Sequence, residues 1–157
     1  ILGTPDQAWP SLSKVLDGAR ACLAAEMLGS GQEAFDRTLS YLKTREQFGV
    51  AIGTFQALKH RAALMFCELE LARSAVLASL QAMDSDHADR AKLASLAKAK
   101  ACDMLELVSC EALQLHGGIG MTDEEDIGFF LKRARMQQAI YGDGRFHRAR
   151  YAELSGL

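Results

Sequence analysis

Two glycine-containing segments carry the residues of this sequence best suited to bind a ligand. The first spans residues 44–60 and combines an arginine and an aromatic residue with two glutamines: Arg45, Phe48, Gln47 and Gln56. The second spans residues 114–120 and reads Gln-Leu-His-Gly-Gly-Ile-Gly. Guanidinium and amide groups donate to phosphate oxygens, and glycines let a ligand approach the backbone. The segments therefore suit a phosphate-bearing ligand with an aromatic moiety. The alternative is two plain connections, with Arg45 complementing a helix dipole and the glycines ending helices.

Residue spacing gives no support for metal or nucleophilic chemistry. A di-iron bundle uses glutamates followed three residues later by histidine, and none of the glutamates at 68, 70, 106 and 111 is followed in this way. The four histidines lie too far apart in sequence to suggest a local cluster. Nucleophile-elbow and phosphate-loop motifs are also missing from the sequence. We therefore expect no metal site.

The composition favours helices as the elements that position these segments. The 157 residues include 25 Ala and 22 Leu but only 14 β-branched residues (4 Val, 5 Ile and 5 Thr). Ala and Leu cost least in a helix, whereas strands favour β-branched residues. Both prolines lie within the first ten residues, so none interrupts the chain after Pro10. A formal net charge of −2 argues against a general binder of nucleic acid or of membrane surfaces.

Apolar periodicity and capping residues predict an all-α fold: a single domain over residues 1–157, built as an antiparallel up-down four-helix bundle with a short C-terminal helix. The first expected helix runs from near Ser11 to near Arg45, and the second from a cap at Thr54 to about residue 83. The third runs from a cap at Ser85 or Asp86 to residue 116, and the fourth from a capping box at residues 122–125 to about residue 140. A short final helix ends at about Leu154. Gly18, Gly29 and Gly31 each cost the first helix ~1 kcal/mol unless close packing requires them.

The two segments together resemble the C-terminal domain of acyl-CoA dehydrogenases, which are FAD enzymes that desaturate acyl-CoA thioesters. The resemblance rests on Arg45-Glu46-Gln47-Phe48-Gly49 with the downstream Phe55-Gln56, and on residues 114–118, Gln-Leu-His-Gly-Gly. It covers nearly the whole chain. It implies a four-helix bundle, in agreement with the composition. The family also has an N-terminal helical domain and a middle β domain, which we expect to be absent here, and the start at Ile1 fits a cut or processed end.

The resemblance implies roles for individual residues. In the first segment, Arg45, Glu46 and Gln47 match positions that contact the FAD diphosphate of a neighbouring subunit, and Phe48 lies beside them. Gln56 matches a further FAD-contacting glutamine. Residues of the second match the loop that approaches the adenosine half of the same FAD, among them Gln114, Gly117 and Gly118. Asp17 and Arg20 match first-helix residues near the acyl-CoA, and Tyr141 matches the tyrosine that precedes the usual catalytic base.

The position of the catalytic base departs from the family pattern. The usual glutamate directly follows the tyrosine, where this sequence has Gly142, and the other known placement is Ala19. Neither residue can abstract a proton. Asp143 is the nearest substitute carboxylate, and we name it as the candidate catalytic residue. Its alternative role is to cap the last helix.

The implied partners are an acyl-CoA substrate and other subunits in a homo- or hetero-oligomer, either a dimer or a dimer of dimers. The four cysteines have no CxxC spacing, no signal-peptide pattern opens the chain, and no stretch is long and apolar enough to span a membrane. These features predict free buried thiols and a cytoplasmic protein. Six basic residues between Lys132 and Arg150 fit a solvated helix face better than a phosphate site.

Three functional hypotheses follow. In the first, the chain is the C-terminal domain of a flavoprotein that removes the α proton of an acyl-CoA and transfers the β hydride to FAD. In the second, it is a non-catalytic domain or subunit that completes the FAD site of a competent partner. The third, a helical interaction module without flavin, leaves the two segments unexplained.

Overall fold

The computed structural model describes residues 3–4 and 6–157, which form five α-helices and one small hairpin. The helices are α1 (Trp9–Thr44), α2 (Gln56–Asp84), α3 (Arg90–His116), α4 (Ile127–Ala139) and α5 (Gly144–Leu154). Strands β1 (Glu46–Gln47) and β2 (Val50–Ala51) pair antiparallel between α1 and α2. The connections are short, so consecutive helices run antiparallel. The prediction of an all-α bundle with a short C-terminal helix is confirmed, and the hairpin is an addition to it.

Helix α3 lies at the centre of the bundle and packs against α1, α2, α4 and α5. Its small residues allow this close packing, since the alanines at 94, 97, 101 and 112 have no exposed surface. Larger apolar side chains fill the spaces between the helices. Those with no exposed surface include Met27, Met65, Leu69, Met104, Leu105 and Ile127. The core therefore extends along the full length of α3.

Gly31 shows why a glycine occupies the middle of α1. A Cβ atom at this position would lie 2.6 Å from Sδ of Met104 and 3.3 Å from Cδ2 of Leu69. Both neighbours are fully buried and have little space into which to move. Close packing of α1 on α3 therefore requires this glycine. Gly29, two residues earlier, has no such neighbour within 4 Å.

The predicted helix caps were wrong at three positions. The Thr54 hydroxyl donates to the carbonyl of Ala51, and α2 begins after Phe55. Helix α3 begins later than expected, with Asp89 as its N-cap residue, because 85–89 form a longer turn. The expected capping box at 122–125 is part of a loop, since α4 starts only at Ile127. The hydroxyls of Thr54, Ser85 and Thr122 each donate to a backbone carbonyl three or four residues earlier.

The expectation of buried thiols holds for only one cysteine. Cys102 is buried and Cys110 is half-buried, but Cys22 and Cys67 are exposed. Burial of Cys102 raises the pKa of its thiol above the ordinary value. Among the described residues, no helix combines the length and the hydropathy needed to cross a membrane.

Candidate functional site

The antiparallel order of the helices brings the two predicted ligand-binding segments to the same end of the bundle. The C-terminal end of α1, the start of α2 and the C-terminal end of α3 all lie there, together with the β1–β2 hairpin. A contact near the ends of α1 and α3 joins the two parts, because the rings of Tyr41 and His116 stack with centroids 4.4 Å apart. We call this the hairpin end.

The hairpin holds the residues of the first segment in exposed positions. Gln47 pairs with Val50 across the ladder, and the turn between them consists of Phe48 and Gly49, both with positive φ (56° and 77°). Such two-residue turns match the twist of a β-hairpin. The Phe48 ring is 91% exposed and meets only the edge of Phe55, at 6.1 Å between centroids. The fold therefore presents a bare aromatic face next to Arg45 and Gln47.

The second segment forms one wall of an open groove at the end of α3. The helix stops at Gly117, whose φ is +65°, and Gln114, Gly117 and Gly118 line a groove of about 420 Å³ with Cys110 and Leu131. No atom within 4 Å blocks the approach to Gly118 where a side chain would otherwise project. The adjacent His116 is turned inward, since its Nδ1 lies 2.7 Å from the carbonyl of Ala112.

Several donor groups at the hairpin end are open to solvent. Arg45 and Gln56 are exposed donors, and none of the described carboxylates pairs with Arg45. The open groove beside Gln114 offers a polar amide and unobstructed glycine backbone. An unpaired cation and accessible amides suit an anionic ligand with a planar group.

A second predicted cluster lies toward the opposite end of α1. Asp17 and Arg20 are both buried and form an ion pair of 2.8 Å. Arg150 of α5 extends this pair to a network of four residues, because its Nη2 donates to Asp17 and its Nη1 donates to Ser95. Nε of Arg20 donates to the backbone carbonyl of Tyr141 at 3.3 Å. The structure thus brings Asp17, Arg20 and Tyr141 together, through the tyrosine backbone rather than its side chain.

The α4–α5 turn, residues 140–143, has a strained backbone at Tyr141, directly before the position of the usual base. Tyr141 and Gly142 have φ values of +59° and +104°. A Cβ atom on Gly142 would lie 2.3 Å from Cδ1 of Phe146. The aromatic ring therefore fills the direction in which a side chain at position 142 would project.

Asp143, the candidate base, is the N-cap residue of α5. Its carboxylate accepts a hydrogen bond of 2.8 Å from the backbone N–H of Phe146. This bond, followed by one from Arg145 and by nearby positive charges, lowers the pKa of the exposed Asp143 carboxyl below its ordinary value. A lower pKa makes a carboxylate a weaker proton acceptor. The capping alternative describes its observed contacts, and a role as base stays a prediction.

Two buried residues around the turn were missed in the sequence. Lys98 and His147 have no exposed surface, and both contact the turn backbone. Burial, with the nearby Lys98 and Arg20, lowers the pKa of His147 to about 4. The imidazole is therefore neutral at physiological pH. Lys98 could have been noticed in the sequence as a lysine among the core alanines of α3. No local sequence feature indicated that His147 is buried.

Five of the six members of the basic run are exposed, as a solvated face requires, and four of the six also form ion pairs between helices. Arginines of α4 and α5 pair with carboxylates of α1 and α3: Arg133 with Glu26, Arg135 with Glu106, Arg148 with Asp103 and Arg150 with Asp17. Hydrogen bonding to Arg133, despite partial desolvation, also lowers the pKa of Glu26. These pairs connect the two C-terminal helices to the rest of the bundle.

The two clusters are far apart within one chain. Arg20 and Arg45 are separated by 25 residues on and just after the single helix α1, which at a rise of ~1.5 Å per residue is roughly 37 Å. The hairpin end and the α4–α5 turn therefore lie near opposite ends of the bundle. Within the described residues, no three potential metal ligands come together.

The fold and its two clusters define a helical bundle of the flavin-dependent acyl-CoA dehydrogenase type. The sequence profile described as "Acyl-CoA dehydrogenase, C-terminal domain" matches residues 6–155, so the chain belongs to this family. The resemblance stated from the two segments is thereby confirmed.

Individual relatives agree with this assignment. The acyl-CoA dehydrogenase IpdE2 of Mycolicibacterium smegmatis is 40% identical over 129 residues, covering 82% of this chain and 40% of that protein. A structure described as the Tcur3481–Tcur3483 steroid ACAD G363A variant superposes with a TM-score of 0.89 at 34% identity, covering 96% of this chain and 41% of that one. A structure described as PigA with FAD and proline superposes with a TM-score of 0.85 at 26% identity, covering 90% of this chain and 37% of that one. The chain thus spans about two-fifths of the length of these relatives.

Proposed function

We propose that this chain is the FAD-contacting, oligomer-forming C-terminal domain of a flavoprotein that desaturates acyl-CoA thioesters between the α and β carbons. The separation of the two clusters by roughly 37 Å along α1 is the observation that carries this proposal. One end offers donors to a dinucleotide, and the other surrounds the turn at which the family places its base. Because one chain holds these features so far apart, they serve two different sites in an oligomer.

The hairpin end would hold the FAD of a neighbouring subunit. Arg45 and Gln47 would bind its diphosphate, Phe48 would pack against it and Gln56 would add a further amide, while Gln114, Gly117 and Gly118 would line the adenosine half. When bound, FAD supplies the acceptor for the β hydride. Phe48 supports this arrangement because a ring that is 91% exposed has almost no partner within its own chain.

Exposed apolar side chains on both flanks of α2 support assembly into an oligomer. Leu64, Phe66, Leu71 and Leu77 are each between 52% and 55% exposed on this one helix. Large apolar side chains concentrated on one helix are typical of protein–protein contacts. A dimer or a dimer of dimers, with identical or different subunits, would cover them.

At the opposite end, Asp17, Arg20 and Tyr141 would lie next to the acyl-CoA. Their buried ion pair and backbone hydrogen bond would form the wall of the substrate site and fix the α4–α5 turn. Asp143 is the one carboxylate of the turn, and proton abstraction from the substrate α carbon would fall to it if the reaction uses this chain's own turn.

A non-catalytic role is the second candidate, and the Gly142–Phe146 contact favours it. The position of the usual base has no side chain, and a phenyl ring occupies the space beside it. Ala19 fills the other known placement. In this version, the chain completes the FAD site of a partner that supplies its own base.

Reconstitution with FAD separates the two candidates. The full-length protein is assayed for reduction of its flavin by acyl-CoA, first alone and then with candidate partner subunits. Turnover by the homo-oligomer that is lost in Asp143→Asn supports the catalytic version. Bound flavin that is reduced only after a partner is added supports the non-catalytic version. Normal flavin content in an Arg45→Ala variant contradicts both.

A further inference from the structure

Lys98 is the largest fully buried side chain of the described residues, and the proposed function gives it no role. Lysine is almost never fully buried unless its ammonium group has partners. It lies on α3, where its neighbours along the same face are the buried alanines 94 and 101 and Cys102. The partners of its ammonium group therefore indicate why a charge is kept in the core.

The ammonium group of Lys98 bridges the end of α4 and the turn that follows. Nζ donates to the backbone carbonyls of Gln137 at 3.1 Å and Gln138 at 3.3 Å, both in the last turn of α4. It also donates to the carbonyl of Gly142 at 3.0 Å, and it lies 3.4 Å from Sγ of Cys102. An ammonium group has three protons, so these acceptors use its full donor capacity.

The end of α4 explains how the buried charge is tolerated. The last carbonyls of a helix have no intrahelical partners, and they carry the negative end of the helix dipole. None of the described carboxylates forms an ion pair with Lys98. The charge is thus balanced by backbone carbonyls, one of which belongs to Gly142 and therefore to the turn itself.

The hydrogen bond from Lys98 to the carbonyl of Gly142 helps to hold a turn whose backbone is strained. Tyr141 has a positive φ, which costs free energy in a non-glycine residue and persists only where the surrounding structure holds it, whereas Gly142 adopts its own positive φ freely. The carbonyl of Tyr141 accepts from Nε of Arg20 and from Nε2 of His147. The carbonyl of Gly142 accepts from Lys98. Donors from three different helices, α1, α5 and α3, thus fix two consecutive backbone carbonyls of the turn.

We propose that Lys98 is a positioning residue, which holds the α4–α5 turn in its strained conformation through the carbonyl of Gly142. It does not reach the surface and touches no ligand. Its effect on chemistry passes through the turn, whose place beside the acyl-CoA rests on the proposed function. The position of the turn itself does not depend on that function.

Hydrogen exchange measured by mass spectrometry tests the structural part in the full-length protein. Lys98→Met removes the three donors while keeping a long apolar stem. Lys100→Met is the matched control, since Lys100 pairs with Glu68 on the other side of α3. We expect at least tenfold faster exchange across residues 140–147 in Lys98→Met alone, with unchanged exchange in α1 and α2. Unchanged exchange in the turn, or an equal increase throughout the bundle, overturns the proposal.

Kinetics test the functional part. In the reconstituted flavoprotein, Lys98→Met should lower the rate constant for flavin reduction by acyl-CoA at least tenfold, with flavin content unchanged, whereas Lys100→Met should not. If the wild-type protein reduces no flavin, either alone or with partner subunits added, the proposed function fails and the exchange result still decides the role of Lys98. If exchange in the turn rises but the rate constant does not fall, Lys98 does not position the turn for chemistry.

If the Lys98→Met variant does not fold, a measurement on the wild-type protein tests the same proposal. In the wild-type protein, nuclear magnetic resonance of ¹⁵N-lysine should show one slowly exchanging ammonium signal with a coupling through the hydrogen bond to the carbonyl carbon of Gly142. A Lys98 signal that exchanges as fast as the other lysines contradicts the proposal.

Discussion

The phenyl ring of Phe146 occupies the space that a side chain at position 142 would need. A Cβ atom on Gly142 would lie 2.3 Å from Cδ1 and 2.9 Å from Cε1 of this ring. The same ring lies 5.7 Å from the guanidinium carbon of Arg20, which fixes the neighbouring Tyr141 carbonyl. The departure at the usual base position is therefore a matched pair of residues, a glycine and the aromatic side chain four residues later.

Adding a side chain at position 142 should destabilise the protein. Gly142→Ala should lower the free energy of unfolding by about 1–3 kcal/mol, since it combines a positive φ with a steric clash. Urea denaturation measures this. In a Phe146→Ala background, Gly142→Ala should lower the free energy of unfolding by clearly less, because the clash with the ring is removed and only the positive φ remains unfavourable. An equal cost in both backgrounds would show that the ring does not exclude a side chain.

Two glycines of α1 should respond in opposite directions to the same change. Gly31→Ala should destabilise by about 1–3 kcal/mol, because its methyl group would press on the buried Met104. Gly29→Ala meets nothing within 4 Å and should stabilise by about 0.5–1 kcal/mol through helix propensity. Thermal or urea denaturation of both variants checks the difference. Stabilisation by both would contradict the close packing of α1 on α3.

Removal of the arginine at the hairpin end should weaken flavin binding without affecting the fold. Arg45 is exposed and forms no described ion pair, so Arg45→Ala should change the free energy of unfolding by less than about 0.5 kcal/mol. In the full-length oligomer, flavin absorbance per subunit after gel filtration should fall several-fold. Lys43→Ala, two residues earlier and also exposed, is the control for loss of charge alone.

The 157-residue chain by itself should fold but retain little FAD. In the proposed function its hairpin end would supply only one wall of a dinucleotide site, and the rest of that site would come from other domains and subunits. Size-exclusion chromatography followed by absorbance near 450 nm measures the bound flavin. Stoichiometric FAD on the purified chain, or acyl-CoA-dependent turnover by it, would overturn this expectation.

Acid should destabilise the protein through His147. Its pKa is lowered from the ordinary value of 6.5 to about 4 in the folded state, so the unfolded state binds more protons between these values. Stability should therefore be full above about pH 6.5 and fall as the pH drops toward 4, by about 3 kcal/mol from this group.

Denaturation at several pH values isolates this contribution. His147→Gln should flatten the pH dependence between 6.5 and 4, whereas His87→Gln, which changes an exposed histidine, should leave it intact. An unchanged slope in the His147 variant would contradict a neutral, buried imidazole.

Local sequence patterns predicted the class of fold because helix propensity depends on short-range chemistry, whereas the ligand contacts of the hairpin-end residues stay a prediction. Ala and Leu content and the absence of proline favour helices wherever the chain is placed. Arg45, Gln47 and Gln114 stand in motifs whose residue types are informative on their own. Helix caps were predicted less well, since Thr54 and Thr122 each had a competing carbonyl three residues earlier.

The sequence by itself determined that the chain is helical, that the two segments predicted to bind a ligand fall at connections between helices, and that no acid occupies the usual base positions. Only the tertiary structure decided what replaces that acid and what holds the turn. Phe146 meets Gly142 within one helical turn, but Lys98 reaches the same turn from a residue 44 positions away. Such contacts depend on how α3 packs against α4 and α5, and no local pattern records that packing.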